Sequence, residues 1–194
     1  FLNENMLSKF EEEIVRPVLR GVENMGHVYK GFLYCGLMVD ENGEARVLEF
    51  NCRLGDPETQ LLMLLMKGDF LPLLENACRE DDFSLSEVST EFWHQKAGLC
   101  VVASAKGYPG EVLKGDIIEV CGQVEGDPNI KVFHSGTEIL DSNLITNGGR
   151  ILTISGIGEN KDALRDVIYE KMSLVKFEGK HYRNDIGLTE VRQK

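Results

Sequence analysis

The run Val47-Leu48-Glu49-Phe50-Asn51-Cys52-Arg53-Leu54-Gly55-Asp56-Pro57-Glu58 passes from strand to loop to helix within twelve residues. Side chains alternate faces along an extended chain. Glu49 and Asn51 therefore share one side, about 7 Å apart along the backbone, while Leu48 and Phe50 point the other way, into a core. Asp56 before Pro57 and Glu58 has the composition of a helix start: a capping oxygen, a ring that presets φ, and an acid in the first turn. The helix so predicted runs through Met66. A carboxylate and an amide oxygen side by side at a strand end are hard donors suited to Mg²⁺ and, through it, to nucleotide phosphates. Arg53 is placed to meet a phosphate, and a helix N-terminus favours anions. Spacing alone leaves a plainer reading standing, in which the strand face is solvated, Arg53 pairs with Asp56, and Asp-Pro-Glu is an ordinary cap.

Outward from this run, the pattern is consistent. Leu7, Phe10, Ile14, Val18 and Val22 recur at helical steps between Met6 and Asn24, with Pro17 predicting a kink or break. Tyr29–Val39 reads as a strand, Asp40-Glu41-Asn42-Gly43 as a hairpin turn, and Arg46–Phe50 as the returning strand. A second helix follows from near Asp69 to about Glu80, with Pro72 tolerable in its first turn. The polar stretch 81–96 reads as a connection. Beyond it come short strands at Gly98–Ala105, Asp116–Val120, Lys131–His134 and Ile151–Ile157, then a helix from about Asn160 to Val175. The fold class expected is α+β, with residues 1–80, 81–96 and 97–194 as first part, connection and second domain.

Composition narrows the function. The chain has 194 residues, 42% hydrophobic and 27% charged, as in ordinary globular proteins. The longest apolar run, Leu61–Met66, is far short of a membrane span. A net charge of −11 argues against a general nucleic-acid binder, which needs clustered Lys and Arg. Five cysteines without CxxC spacing point to a reducing, cytosolic compartment. Cys35, Cys52, Cys78 and Cys100 read as small buried hydrophobes. The four histidines show no zinc spacing, and His134 reads as a hydrogen-bonded structural residue. The first residue is Phe1, which suggests a fragment, and no secretory signal is visible.

Gly31-Phe32-Leu33-Tyr34-Cys35-Gly36-Leu37-Met38, the Asn-Gly hairpin and Leu48 to Glu58 together closely resemble the glycinamide ribonucleotide synthetase family of the ATP-grasp superfamily. The resemblance continues through Gly107-Tyr108-Pro109-Gly110, Val132-Phe133-His134-Ser135-Gly136-Thr137, Thr146-Asn147-Gly148-Gly149-Arg150 and Tyr182-Arg183-Asn184-Asp185-Ile186-Gly187. It implies that residues 1 to about 80 are the C-terminal portion of an ATP-grasp lobe, and that 97–194 are the family's small α+β C-terminal domain. It implies cytoplasmic, ATP-dependent ligation of glycine to 5-phosphoribosylamine through glycyl phosphate, with Mg²⁺ or Mn²⁺. The rest of the N-terminal chain would carry the nucleotide hinge and the phosphate-covering loop. Glu49 and Asn51 fall on the family's metal ligands, and Arg53 on a position that neutralises the transferring phosphoryl group. Gly55 would allow close backbone approach, and Asp56 and Glu58 would meet substrate amine or hydroxyl groups.

Many superfamily members carry a further acidic ligand where Leu37 stands, so Mg²⁺ is expected to bind weakly without nucleotide. Gly107-Tyr108-Pro109-Gly110 reads as a tight turn, with a substrate-facing loop as the alternative. Asn147-Gly148-Gly149-Arg150 resembles a family loop, which implies that it faces the active-site cleft; apart from the resemblance it reads as a hairpin turn. Two other functions remain to be weighed: another ATP-grasp enzyme, such as a carboxylase, and a non-catalytic binding or assembly fragment.

Overall fold

The computed structural model of the chain describes residues 3–78, 92–121, 124 and 126–188. These fall into two compact units: residues 3–55 with 69–78, and residues 56–68 with the described residues from 92 onward.

In the first unit, helix α1 (Glu4–Phe10) starts at Asn3, whose side chain accepts the Met6 N–H at 3.0 Å. Pro17 does not break the helix. A π-helical turn, Glu11–Val15, carries the chain without interruption into α2 (Arg16–Asn24), with the Arg16 N–H bonded to the Glu11 carbonyl. In a regular helix the Pro17 ring would press on the carbonyl four residues back. One extra residue in the preceding turn spreads those carbonyls and makes room.

Strands β1 (Tyr34–Val39) and β2 (Ala45–Asn51) form the expected antiparallel hairpin. The Asn42 and Glu44 N–H groups both donate to Asp40 Oδ1 at 2.9 Å, and Gly43 takes the φ of +82° that closes the turn. Gly36 faces Glu49 and Leu37 faces Val47, so Leu48 is the extra residue of a bulge. The expectation that Leu48 and Phe50 enter a core is not met, since they are 64% and 40% exposed. Helix α4 (Leu71–Cys78) completes this unit. The Leu71 N–H is held by Asp69 Oδ1 at 2.9 Å, and the Phe70 ring stacks on Phe32 at 5.8 Å. The expected end of this helix near Glu80 lies outside the described residues.

The second unit holds the principal core. Its sheet runs in the order β3 (Ala97–Ser104), β8 (Arg150–Gly158), β5 (Ile130–His134), all antiparallel. The central strand is buried from Ile151 to Ile157. Helix α5 (Lys161–Leu174), capped by the Asn160 side chain, lays Leu164, Ile168 and Met172 on the sheet at four-residue steps. Helix α3 (Glu58–Leu65) packs on β3 and β8, with Leu61 over Gly98. Thus α3 packs within the second unit, although the boundary at residue 80 would group it with the first part. The stretch 81–96 lies mostly outside the described residues.

Two small pairings complete this unit: β4 (Glu119–Val120) with β9 (Val175–Lys176), and β6 (Thr137–Leu140) with β7 (Asn143–Thr146). The β6–β7 hairpin has no counterpart among the strands expected from sequence. Its turn uses Asp141 and Ser142 at φ of +46° and +65°, without the glycine that normally signals such a turn. All five cysteines are free. Cys52, Cys78 and Cys121 are exposed and Cys35 and Cys100 half-buried, which corrects the reading of Cys52 and Cys78 as core residues.

Candidate functional site

The residues singled out by sequence fall on both units, Glu49, Asn51, Arg53 and Gly55 in the first and Asp56 and Glu58 in the second.

On β2, Glu49 and Asn51 stand side by side, with Asn51 Nδ2 donating to Glu49 Oε1 at 3.0 Å. Gly36 on β1 gives Glu49 its room, since a Cβ there would lie 3.1 Å from Glu49 Cγ. The amide bond leaves Asn51 Oδ1 and the second Glu49 oxygen as acceptors. Two hard oxygens of this kind fit Mg²⁺, which commonly takes one or two protein ligands and completes its shell with phosphate and water. Among the described residues no group of three or more His, Cys, Asp or Glu side chains is gathered for a metal. Arg53 is exposed, with Nη1 donating to the Leu54 carbonyl at 3.0 Å, and Gly55 is buried.

The second unit corrects the reading of Asp56 as a cap. Helix α3 opens at Glu58 behind Pro57, with no side-chain cap bond. The Asp56 carboxylate is occupied elsewhere: Gln60 Nε2 donates to Oδ1 at 2.7 Å, and Arg150 Nη1 to Oδ2 at 3.1 Å. Arg150 Nη1 also reaches the Asp56 carbonyl at 2.6 Å. The partner of Asp56 is therefore Arg150, where the plainer sequence reading put Arg53. Arg150 is itself anchored, its Nε donating to the Tyr108 hydroxyl at 2.8 Å. That bond, ahead of the Asp56 charge, raises its already high pKa.

The Tyr108 ring lies against Gly149, where a Cβ would come within 2.5 Å of Tyr108 Cδ2. Gly136 and Gly148 also meet backbone to backbone, a Cβ on Gly148 falling 2.9 Å from Gly136 Cα. Three stretches that are separate in sequence, 107–110, 134–137 and 146–150, thus converge around Arg150. Gly107 to Gly110 is the expected turn, closed by Gly110 N–H to the Gly107 carbonyl at 2.8 Å. Asn147-Gly148-Gly149 is not a hairpin turn, because it links β7 to β8, which belong to different sheets. His134 has the structural role expected, its Nδ1 lying 3.1 Å from Thr137 Oγ1. Sequence reasoning placed Tyr108 and Arg150 in loops but missed the contact of Arg150 with Asp56, and no local pattern joins residues 94 positions apart.

Beside this cluster lies a cavity of about 320 Å³, lined by Pro57, Cys100, Tyr108, Arg150, His181 and Arg183 among others. Burial pushes the Cys100 thiol up to about 11, and the Glu58 and Asp56 charges push the same way.

Comparison with known proteins gives two matches, in order along the chain. Residues 1–59 match the phosphoribosylglycinamide synthetase ATP-grasp (A) domain, and residues 98–189 the phosphoribosylglycinamide synthetase C domain. The chain belongs to the phosphoribosylglycinamide synthetase family. A phosphoribosylamine–glycine ligase of Vibrio parahaemolyticus is 39% identical over 180 residues, covering 93% of this chain and 41% of that protein. One from Caldanaerobacter subterraneus is 40% identical over 186 residues, covering 96% and 43%. The crystal structure of phosphoribosylamine–glycine ligase from Thermotoga maritima superposes with a TM-score of 0.77 at 34% identity, over 95% of this chain and 44% of that one. A biotin carboxylase domain of a thermophilic 2-oxoglutarate carboxylase shares the fold, at a TM-score of 0.59 and 14% identity over 93% of this chain and 39% of that one. The α+β class expected from sequence is the class of these structures. The chain spans about two fifths of the length of the family members it matches. Among the described residues no helix is long and apolar enough to cross a membrane.

Proposed function

We propose that this chain is part of a cytoplasmic enzyme of de novo purine biosynthesis that joins glycine to 5-phosphoribosylamine, forming glycinamide ribonucleotide, ADP and phosphate. The observation that carries this reading is the Glu49–Asn51 pair on β2, inside the span that matches the ATP-grasp domain. The chain's relatives named phosphoribosylamine–glycine ligase support the choice of substrates. On this reading residues 1–80 end an ATP-grasp domain, 81–96 connect, and 97–194 form the C-terminal domain. An upstream part of the same protein supplies the nucleotide hinge.

The chemistry assigns each residue a task. Glu49 and Asn51 would hold Mg²⁺ or Mn²⁺ through the two oxygens left by their mutual hydrogen bond. That cation, when bound, offsets charge on the γ-phosphoryl group of ATP as it transfers. A glycine carboxylate oxygen bonds to the γ-phosphorus as the bond to ADP breaks, giving glycyl phosphate. The amine nitrogen of phosphoribosylamine then bonds to the acyl carbon, phosphate leaves, and the amine proton passes to solvent. Arg53 neutralises the phosphoryl group in flight. Gly55 lets the backbone come close, and Asp56 and Glu58 accept hydrogen bonds from substrate amine or hydroxyl groups.

The test is ADP formation by the whole protein. It should require both glycine and phosphoribosylamine, with one amide made per ADP, while the present chain alone should turn over nothing. ADP formation driven by bicarbonate, or indifferent to glycine, would overturn the reading.

A further inference from the structure

Arg150 lies in none of the positions to which the proposed chemistry assigns a task, yet it makes three directed hydrogen bonds, two of them to Asp56. Its Nη1 meets two oxygens of one residue, the Asp56 carbonyl at 2.6 Å and Oδ2 at 3.1 Å. Its Nε is fixed by the Tyr108 hydroxyl at 2.8 Å, and its guanidinium lies 5.8 Å from the Tyr108 ring centroid. The Tyr108 ring in turn packs closely on the bare backbone of Gly149, where a Cβ would lie 2.5 Å from Tyr108 Cδ2. Gln60, in the first turn of α3, donates to the other Asp56 oxygen at 2.7 Å. Both charged side chains are about two fifths exposed, at 39% and 44%. An ion pair this open to water adds little to stability. A planar guanidinium held at Nε while Nη1 bridges a main-chain and a side-chain oxygen defines a direction, which a simple charge pair does not.

We propose that Arg150 is a positioning residue: anchored by Tyr108, it fixes Asp56 in the orientation in which its carboxylate meets the glycine or phosphoribosylamine substrate. The inference rests on the reading of Asp56 as a substrate contact. It also gives work to two stretches the reaction does not otherwise use. The Gly-Tyr-Pro-Gly turn supplies the hydroxyl that orients the guanidinium, and the Asn-Gly-Gly loop supplies the flat seat for the tyrosine ring.

Arg150→Met, Arg150→Lys and Tyr108→Phe separate this role from a merely structural one. In the whole protein, Arg150→Met should raise KM for glycine or phosphoribosylamine by about tenfold or more, leaving KM for ATP unchanged. Arg150→Lys should resemble Arg150→Met, because an ammonium restores the charge but not the planar grip. Tyr108→Phe, which removes one oxygen from a half-exposed ring and should fold normally, should shift the same KM in the same direction by a smaller factor. A second readout needs no turnover: amide exchange over residues 56–60 of the chain itself should quicken by about tenfold in Arg150→Met, with exchange in the β3–β8–β5 sheet unchanged. Wild-type KM values in Arg150→Met, full rescue by lysine, or unchanged exchange over 56–60 would each overturn the proposal. If the wild-type protein makes no glycinamide ribonucleotide, the proposed reaction falls, and the exchange result alone still decides whether Arg150 holds Asp56.

Discussion

Cys100 sits with its Sγ 3.6 Å from the Pro57 carbonyl, and burial together with two nearby carboxylates pushes its thiol up to about 11. Alkylation proceeds through the thiolate. At pH 8 Cys100 should therefore react about a hundredfold more slowly than an ordinary exposed thiol, with the gap closing as pH rises toward 11. Mass-spectrometric labelling of the chain against time checks this, and equal rates at Cys100 and Cys121 would contradict the environment described. The sign extends to stability. A thiol raised in the folded state favours folding below its ordinary value, and that contribution is lost as pH climbs through about 11. At this scale the sequence was legible only where a residue acts with near neighbours. Glu49 and Asn51 meet because strand alternation makes them meet. Asp56 looked like a cap because Pro and Glu follow it, and only the tertiary fold brings Arg150 to the carboxylate first.

Among the elements, β8 owes its burial on both faces to small side chains where helix α5 comes closest. A Cβ on Gly156 would lie 2.5 Å from Ile130 Cδ1, 2.9 Å from Ile168 Cδ1 and 3.1 Å from Leu164 Cδ1, all at once. Gly156→Ala should therefore destabilise the chain by about 1–3 kcal/mol through overpacking. Gly21→Ala in α2, where nothing lies within 4 Å, should instead stabilise by about 0.5–1 kcal/mol by restricting the unfolded chain. Thermal or denaturant unfolding of the two variants checks the pair, and a shift in the same direction for both would contradict the packing described. The expected strands Tyr29–Val39 and Asp116–Val120 shrink to Tyr34–Val39 and Glu119–Val120, while the Asn-Gly hairpin and the helix that follows Asn160 were readable. Three features were not. The π-helical turn before Pro17 answers a steric conflict in one particular way among several. The bulge at Leu48 depends on the register against β1. The β6–β7 turn uses Asp-Ser at positive φ, which composition does not announce.

For the whole molecule, family and fold class could be read from an ordered series of short motifs, because each fixes a local conformation that the family shares. The packing units could not. Only four residues separate β2 from residues 56–68, yet α3 packs on β3 and β8 of the second unit. The metal-binding role proposed for the Glu49–Asn51 pair in phosphoryl transfer sets the expected behaviour of the whole protein. ADP formation by the whole protein with glycine and phosphoribosylamine, wild type against Glu49→Gln and Asn51→Ala, tests it most directly. A loss of about a hundredfold or more in both variants, with folding intact, is the result predicted, since removing a ligand should cost several kcal/mol of transition-state stabilisation, about 1.4 kcal/mol for each factor of ten. Near-normal rates in both would mean that this strand face is merely solvated, and would contradict the site.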